Sequence, residues 1–337
     1  NNNILDYTKN YEFIITDKAK TSNWPSNLKN TAAASYNRVH SEEGITATPE
    51  DGPWRITLDQ PSYMPFMQHH KDRNDRFAVY KAFASRAAEG HYNNLPLIEE
   101  LTKVRKEMAQ LVGYENFAAF SLDVKMAKNI ENVNKMFKEL EDATKPFGQK
   151  DLDAITELAK ENGQTEPIQQ WDVAYWAERL REKTFNLTDD IIRPYFQYER
   201  VRDALFELSN RLFGITITPS KEDAQVWDKD VFFYDVADES GEVIAHFYLD
   251  PFVRPGEKRG GAWMDNCLSR RLYKNKELRK PVIYICCNAT KPINGKPSLF
   301  SFLEVKTIFH EFGHALQGML TQVNESEAAG CNGVEWD

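Results

Sequence analysis

The sequence predicts a mainly α-helical fold of the α+β class, with a small β-sheet confined to its later part. Through most of the chain, apolar residues recur at the three- and four-residue spacing of amphipathic helices. Runs rich in β-branched and aromatic residues become frequent only after residue 225. We therefore expect a mainly helical region over residues 1–225, and a small sheet with one more long helix over residues 226–337. Since no linker separates them, the two form one continuous domain in this prediction.

The first residues predict loosely organised structure. Residues 1–20 are expected to begin the chain with helical structure and little strand character, and a proline-containing surface loop follows. Within that loop we expect a short helix at residues 32–38, and residues 54–58 (WRITL) favour a short strand.

The rest of the first region reads as consecutive helices. The helix at residues 93–113 has Pro96 in its first turn and Gly113 as its C-terminal stop. The helix at residues 194–212 is ended by Gly214. Further helices are predicted at residues 67–88, 117–126, 129–144, 150–161 and 169–183.

Strands dominate after residue 225. Residues 231–236 and 243–249 flank the turn DESG, which predicts a hairpin, and residues 281–287 (PVIYICC) are a third strand candidate. Between them lies a basic glycine-rich loop at residues 254–263, RPGEKRGGAW. This loop lacks the strand-to-helix setting of a phosphate-binding fingerprint, so a nucleotide site is rejected.

The chemistry is concentrated in residues 304–320, EVKTIFHEFGHALQGML, which contain an HExxH motif. At about 100° per residue, His310 and His314 project from one helix face about one turn apart and can bind one cation. Glu311 lies about a quarter-turn round, beside the metal, where a general base for a metal-bound water belongs.

The pattern around the motif supports this interpretation. Ser301 and Glu304 have the spacing of a capping box that starts the helix. Gly313 is unfavourable inside a helix, which predicts a close neighbour there. The alternative is a helix with two histidines on a solvated face. It is disfavoured because the opposite face is a continuous apolar stripe of Val305, Ile308, Phe309, Phe312, Leu316, Met319 and Leu320.

The other histidines are interpreted as structural or ordinary. His69 and His70 are adjacent, and adjacent helical residues point about 100° apart, which makes a poor chelate. We expect both at ordinary polar positions. His246 lies within a predicted strand and is expected to be structural.

Composition excludes several classes of protein. The formal net charge is −9 with no basic patch, which argues against a nucleic-acid partner. No apolar run approaches the length of a membrane span. The four cysteines are sparse, and Cys286 and Cys287 are adjacent, which suits a reducing compartment better than a disulfide framework.

The ends predict a chain truncated on both sides. It begins with NNNILDYTKN, without an initiator methionine, signal peptide or transit-peptide bias. It stops at GVEWD, without a helix cap or a polar tail.

Several stretches together resemble one family. They are TIFHEFGHALQGMLT with the following GVEWD, HFYLDPF with KRGGAWMD, and NNLPLIEEL with VRKEMAQLVGY. They are similar to zinc oligopeptidases of the M3 family, the thimet oligopeptidase and oligopeptidase A type. The resemblance implies a zincin-like, two-lobed helical enzyme whose deep channel admits short peptides and excludes folded proteins.

The resemblance also implies roles for single residues. His310 and His314 would be zinc ligands, and Glu311 the base and proton shuttle. Asp337 matches the first residue of the family's D-x-V-E-x-P-S-Q segment, so the third ligand would lie three residues beyond it. The family's later His/Tyr-rich segment would also lie outside the chain. Gln317 stands where many relatives have a further histidine, which puts in doubt a contact that would support a metal ligand, but not the metal itself.

We therefore predict a zinc-dependent endopeptidase that cleaves internal bonds of short unfolded oligopeptides with one Zn²⁺ per chain. It is expected to be a cytoplasmic monomer without nucleic-acid or membrane partners, or to lie in an organellar stroma or matrix. The isolated chain is expected to be inactive. The alternatives are another zinc hydrolase or aminopeptidase on the same helix, or a non-catalytic zinc-binding helical module. Substitute metal ligands could come from Glu325, Glu327 or Glu335, although loop roles are favoured for all three.

The glycine-rich loop at residues 254–263 is expected to border the peptide cleft. Gly260 and Gly261 would let the backbone of a substrate approach closely. A plain surface turn is the alternative.

Overall fold

The protein is mainly α-helical with a small mixed sheet, as predicted. The structure is a computed structural model that describes residues 2–292, 295 and 297–334. No helix within these residues is long and apolar enough to cross a membrane. The helices are α1 Asn2–Asn10, α2 Ser26–Val39, α3 Gln60–His69, α4 Arg73–Ala84, α5 Leu95–Leu111, α6 Phe117–Leu122, α7 Ile130–Glu161, α8 Gln170–Phe185, α9 Asp189–Ile192, α10 Tyr198–Phe213 and α11 Phe302–Met319.

The main sheet has five strands in the order β3-β4-β5-β9-β6. Strands β5 and β9 are parallel, and the other neighbours are antiparallel. The predicted hairpin is β4–β5, across which His246 Nδ1 lies 2.9 Å from Asp235 Oδ1. The strands are β1 Phe13–Ile15, β2 Trp54–Ile56, β3 Thr216–Pro219, β4 Phe232–Ala237, β5 Val243–Phe252, β6 Trp263–Leu268, β7 Arg271–Leu272, β8 Leu278–Arg279 and β9 Val282–Ala289.

An N-terminal core forms where β1 pairs with β2 and α2, α3 and α4 pack around them. Trp54 and Phe66 are fully buried at its centre. Gly52 is required beside Trp54, because it has a φ of +69° and a Cβ there would lie 2.6 Å from the indole ring. The strand β1 was not predicted, because three residues carry too little pattern.

The helix predicted at residues 67–88 is wrong, because the chain breaks at His70. Helix α3 ends at His69, and α4 begins at Arg73, where the Asp72 carboxylate accepts the backbone N–H groups of Asn74 and Asp75. The expectation that His69 and His70 occupy ordinary polar positions is also wrong. His69 is 5% exposed and His70 is 0% exposed.

Two hydrogen-bonding partners of its side chain explain the burial of His70. Its Nδ1 accepts the indole N–H of Trp24 at 3.1 Å, so its Nε2 carries the proton and donates to Asp75 at 2.9 Å. Lys20 then pairs with Asp75 at 2.7 Å. This chain of contacts joins the loop before α2 to the α3–α4 break.

The helices predicted at residues 129–144 and 150–161 are one continuous helix, α7. The break was expected around Pro146, yet the helix continues through it. Only the C-terminal part of α7 packs against α8, where Ile155 and Leu158 are buried.

Helix α8 is held against α4 by a buried ion cluster. Asp172, at 0% exposure, accepts hydrogen bonds from Arg73 at 2.9 Å and from Arg76 at 2.8 Å. It also accepts the backbone N–H of Gln169 and so completes a capping box at the start of α8. The position of α8 depends on these contacts as well as on its buried Tyr175.

The second core lies between the main sheet and α10 and α11. Phe247 of β5 and Phe312 of α11 are buried and meet edge to face with ring centroids 5.7 Å apart. Tyr198 and Leu205 of α10 belong to the same core. The division into residues 1–225 and 226–337 stays a prediction. The core on the sheet also contains residues of α10, which belongs to the first of these regions.

Close packing of α11 on the sheet occurs at Gly318, not at Gly313 as predicted. A Cβ at Gly318 would lie 2.7 Å from Cδ1 of Ile283 in β9. Gly313 is exposed, and among the described residues no atom lies within 4 Å of the place of its Cβ. A substitution at Gly318 would therefore require the end of the Ile283 side chain, or α11 itself, to shift.

Candidate metal centre

Helix α11 starts from the capping box that the sequence predicted. The Ser301 hydroxyl accepts the Glu304 N–H at 3.2 Å, and the Glu304 carboxylate accepts the Ser301 N–H at 2.6 Å. The other oxygen of Glu304 accepts the backbone N–H and the hydroxyl of Thr290, at 2.8 and 3.0 Å. Because Thr290 directly follows β9, the start of α11 is tied to the end of that strand.

The two motif histidines meet on α11. Nε2 of His310 and Nε2 of His314 are 3.2 Å apart, and the ring planes are inclined by 88°. Two nitrogens bound at about 2.05 Å to one tetrahedral zinc would lie about 3.3 Å apart. His310 is exposed and His314 is half-buried. Their spacing therefore fits the ligand geometry of a zinc ion.

Glu311 is 7% exposed and lies on α11, which packs against β9. Burial first, and then the nearby Glu311 carboxylate, raise the pKa of the Cys287 thiol to about 12. The side chain of Glu311 is therefore close to the carboxyl end of β9.

A third ligand for the pair of histidines is not found in the part of the chain that the structure describes. There, Glu325 and Glu327 form no three-residue group with His310 and His314 at metal-binding distances. Glu335 and Asp337 lie outside the described residues.

One group of metal-binding residue types was missed by sequence reasoning. His69 of α3 and Glu178 and Glu182 of α8 place their ligand atoms within 4.8 Å of one another. Arg179 already lies between two of them, with Nη2 at 3.0 Å from His69 Nδ1 and 2.8 Å from Glu182. Arg181 pairs with Glu178 at 3.0 Å. Since two guanidinium groups neutralise the two carboxylates, we interpret the cluster as structural.

The glycine-rich loop at residues 254–263 is tied to the end of β9. Asn288 Nδ2 donates to the backbone carbonyl of Arg259 at 2.8 Å and also to that of Gly261. Gly261 has a φ of +95°, which favours glycine. The loop also lines a cavity of about 290 Å³ beside Asp59 and Arg86.

This loop leads directly into β6, a strand that the sequence did not predict. Its residues, WMDNCL, alternate poorly, and among the described residues β6 pairs on one side only, with β9. Strand β6 is an edge of the main sheet and packs against α11. The helix with the two histidines therefore lies beside an open strand edge.

Comparison with known proteins identifies the family. Residues 66–337 match the family model described as peptidase family M3. The chain is 45% identical over 341 residues to the organellar oligopeptidase A, chloroplastic/mitochondrial, of Arabidopsis thaliana, which covers 99% of this chain and 42% of the relative.

Two bacterial relatives also match. Oligopeptidase A of Salmonella typhimurium is 38% identical over 100% of this chain and 48% of its own length. A dipeptidyl carboxypeptidase of Escherichia coli is 31% identical over 84% of this chain and 41% of its own length. The chain thus spans less than half the length of these relatives. With the family match over residues 66–337, the HExxH helix beside the sheet edge and the oligopeptidase A relatives, the chain belongs to peptidase family M3 and is of the oligopeptidase A type.

Proposed function

We propose that the complete protein containing this chain is a zinc-dependent endopeptidase that cleaves internal bonds of short unfolded oligopeptides. The observation that carries the proposal is the 3.2 Å separation of the Nε2 atoms of His310 and His314, with Glu311 next to them on the same helix. In the proposal these histidines hold one Zn²⁺, and a glutamate shortly beyond Asp337 is the third ligand.

Each residue has a defined part in the reaction. A zinc ion held there would supply Lewis acidity, which lowers the pKa of water to about 7 and stabilises the charge that develops on the peptide carbonyl oxygen. Glu311 accepts the proton of the attacking water and then delivers it to the nitrogen of the leaving amine. His310 and His314 must be neutral at Nε2 to act as ligands, so metal binding competes with their protonation.

The open edge of β6 suggests how a peptide would bind. An extended peptide can add to a sheet edge through main-chain hydrogen bonds, which recognise any sequence that is unfolded. Strand β6 offers such an edge, and α11 packs against it. A peptide on this edge would run past the histidines, in keeping with the preference for short unfolded substrates.

The proposed partners and location follow from the sequence and the family. Partners are short peptides, with no nucleic acid and no membrane, and the protein is a monomer in this proposal. Relatives named as organellar and as cytosolic oligopeptidase A occur at 45% and 44% identity, so we propose a cytoplasmic location with an organellar stroma or matrix as the alternative.

A second specificity is suggested by the relative named dipeptidyl carboxypeptidase. Such an enzyme requires a free C-terminus on its substrate, and an aminopeptidase requires a free N-terminus. An endopeptidase requires neither.

Blocked peptides separate these activities. We expect the complete protein to cleave a fluorogenic peptide that is N-acetylated and C-amidated at a rate similar to that of the free peptide. Cleavage only after the C-terminus is freed would favour the carboxypeptidase activity. A protein that binds zinc tightly but cleaves none of these peptides would favour the non-catalytic module.

A further inference from the structure

A buried ion cluster lies at the carboxyl ends of the two parallel strands β5 and β9. Asp250 at its centre is 1% exposed, and Arg254 donates to both of its carboxylate oxygens at 2.7 and 2.6 Å. Trp227 adds a third hydrogen bond to this carboxylate at 2.9 Å. Arg254 Nε also lies 3.7 Å from Asp228, so the hydrogen bonds of the Asp250 carboxylate are satisfied while Arg254 faces two carboxylates.

Lys258 brings a second cation into the same place. Its side chain is 9% exposed, and its ammonium nitrogen lies 2.9 Å from Asp250 Oδ1. Burying an ammonium group is costly, and burial lowers the pKa of Lys258 although Asp250 opposes the shift. Asp250 and Asp228 together balance the charges of Arg254 and Lys258, but charge balance alone does not fix where the ammonium group lies.

The backbone contacts of Lys258 give it a different role. Its ammonium group donates to the carbonyls of Asp250 at 3.0 Å and Phe252 at 3.1 Å, and also to the carbonyl of Cys287. The first two belong to β5 and the third to β9. A single nitrogen thus joins the ends of both strands, and its three N–H donors are shared among these carbonyls and Asp250 Oδ1.

Two elements of the proposed active site start from this junction. The residues that follow Lys258 are held to β9 by Asn288 and lead into β6, whose first residue, Trp263, pairs with Cys286. The side chain of Cys287 lies in the core that β9 shares with α11. Displacing the junction would therefore disturb the open strand edge next to α11.

We propose that Lys258 is a positioning residue, which sets the path of the glycine-rich loop and the edge strand β6 relative to α11. For catalysis this rests on the proposed function, since β6 is where the peptide substrate would lie. Lys258 contacts neither the histidines nor, in this proposal, the substrate.

Amide hydrogen exchange of the complete protein tests the proposal without any activity. Lys258→Met keeps the aliphatic stem and removes the ammonium group. Loss of charge-assisted hydrogen bonds should speed exchange of the β6 amides by about tenfold or more. The matched control is Lys274→Met, which changes an exposed lysine between β7 and β8 and should leave β6 unchanged.

Lys258→Arg is the second variant. It keeps the charge, but a planar guanidinium cannot place one nitrogen at three carbonyls, so an intermediate increase in β6 exchange is expected. If Lys258→Met does not fold, the exchange of the β6 amides in Lys258→Arg tests the proposal. Exchange of β6 within twofold of the parent in the folded variants would overturn the proposal.

Kinetics of the complete protein separate positioning from general stability. Lys258→Met should raise KM by about tenfold for peptides long enough to lie along β6, with the zinc content unchanged and a smaller effect on very short peptides. An equal loss for all peptide lengths, or loss of zinc, would overturn the positioning role. A parent protein that cleaves no peptide would instead contradict the proposed function and leave the exchange result standing.

Discussion

Glu304 of α11 accepts the backbone N–H of Thr290 at 2.8 Å, so the helix with both motif histidines begins at a fixed point beyond β9. The same carboxylate caps its own helix through Ser301 and lies 3.4 Å from Arg193. Glu304, which the sequence identifies through the capping box, therefore also contacts residues that are distant in the chain.

Glu304→Ala should destabilise the chain by about 1–3 kcal/mol, because it removes the cap and leaves the N–H of the buried Thr290 without its acceptor. Urea unfolding followed by circular dichroism measures the change. Glu99→Ala, on the exposed face of α5, is the control and should stay within about 0.5 kcal/mol of the parent. Equal midpoints for the two variants would contradict the importance of this contact.

Glu311→Gln in the complete protein should leave the zinc content nearly unchanged and remove peptide hydrolysis, because the residue is proposed as a base and not as a ligand. Metal analysis of the purified protein and a fluorogenic peptide assay measure the two effects. His314→Gln is the matched control and should lose both zinc and activity. If Glu311→Gln retained cleavage within a few-fold of the parent, the assigned role would be wrong.

Zinc binding of the isolated chain should be weak, and peptide turnover absent. Losing a single outer-shell partner costs about 10–100-fold in affinity, so a missing third ligand should weaken binding at least about a hundredfold. A competitive zinc titration should compare this chain with a version extended past the expected glutamate. Tight stoichiometric binding with hydrolysis by the isolated chain would show that Glu325, Glu327 or Glu335 supplies the ligand.

Acid should destabilise the N-terminal core through His70. Burial lowers the pKa of His70, although Asp75 and Asp72 oppose the shift and Lys20 adds to it. Below pH about 6.5 the unfolded chain therefore takes up a proton that the folded chain does not, and stability falls until the lowered folded pKa is reached.

The slope of this loss is up to about 1.4 kcal/mol per pH unit, and urea unfolding between pH 5 and 7 measures it. His70→Gln removes the titrating group, so its stability should depend less steeply on pH, even though the variant is less stable throughout. If the free energy of unfolding changed with pH equally in parent and variant, a group other than His70 would be responsible for the loss of stability.

The sequence by itself predicted the chemistry that we propose for this chain and determined its main local structure. The relation of His310, Glu311 and His314 depends only on helical geometry, which is local and regular. The capping box of Ser301 and Glu304 and the β4–β5 hairpin were predictable for the same reason, because their partners are within a few residues. The family resemblance rested on similarly continuous stretches.

Only the tertiary structure decided which polar groups are buried and where the open edge lies. His70 is polar and follows a helix, yet Trp24, 46 residues away, accounts for its burial. In the sequence, Lys258 has the character of a solvated loop residue. In the fold, β5 and β9 bring three carbonyls to its ammonium group. Such roles come from contacts between residues distant in the chain, and a helical or strand period contains no information about them.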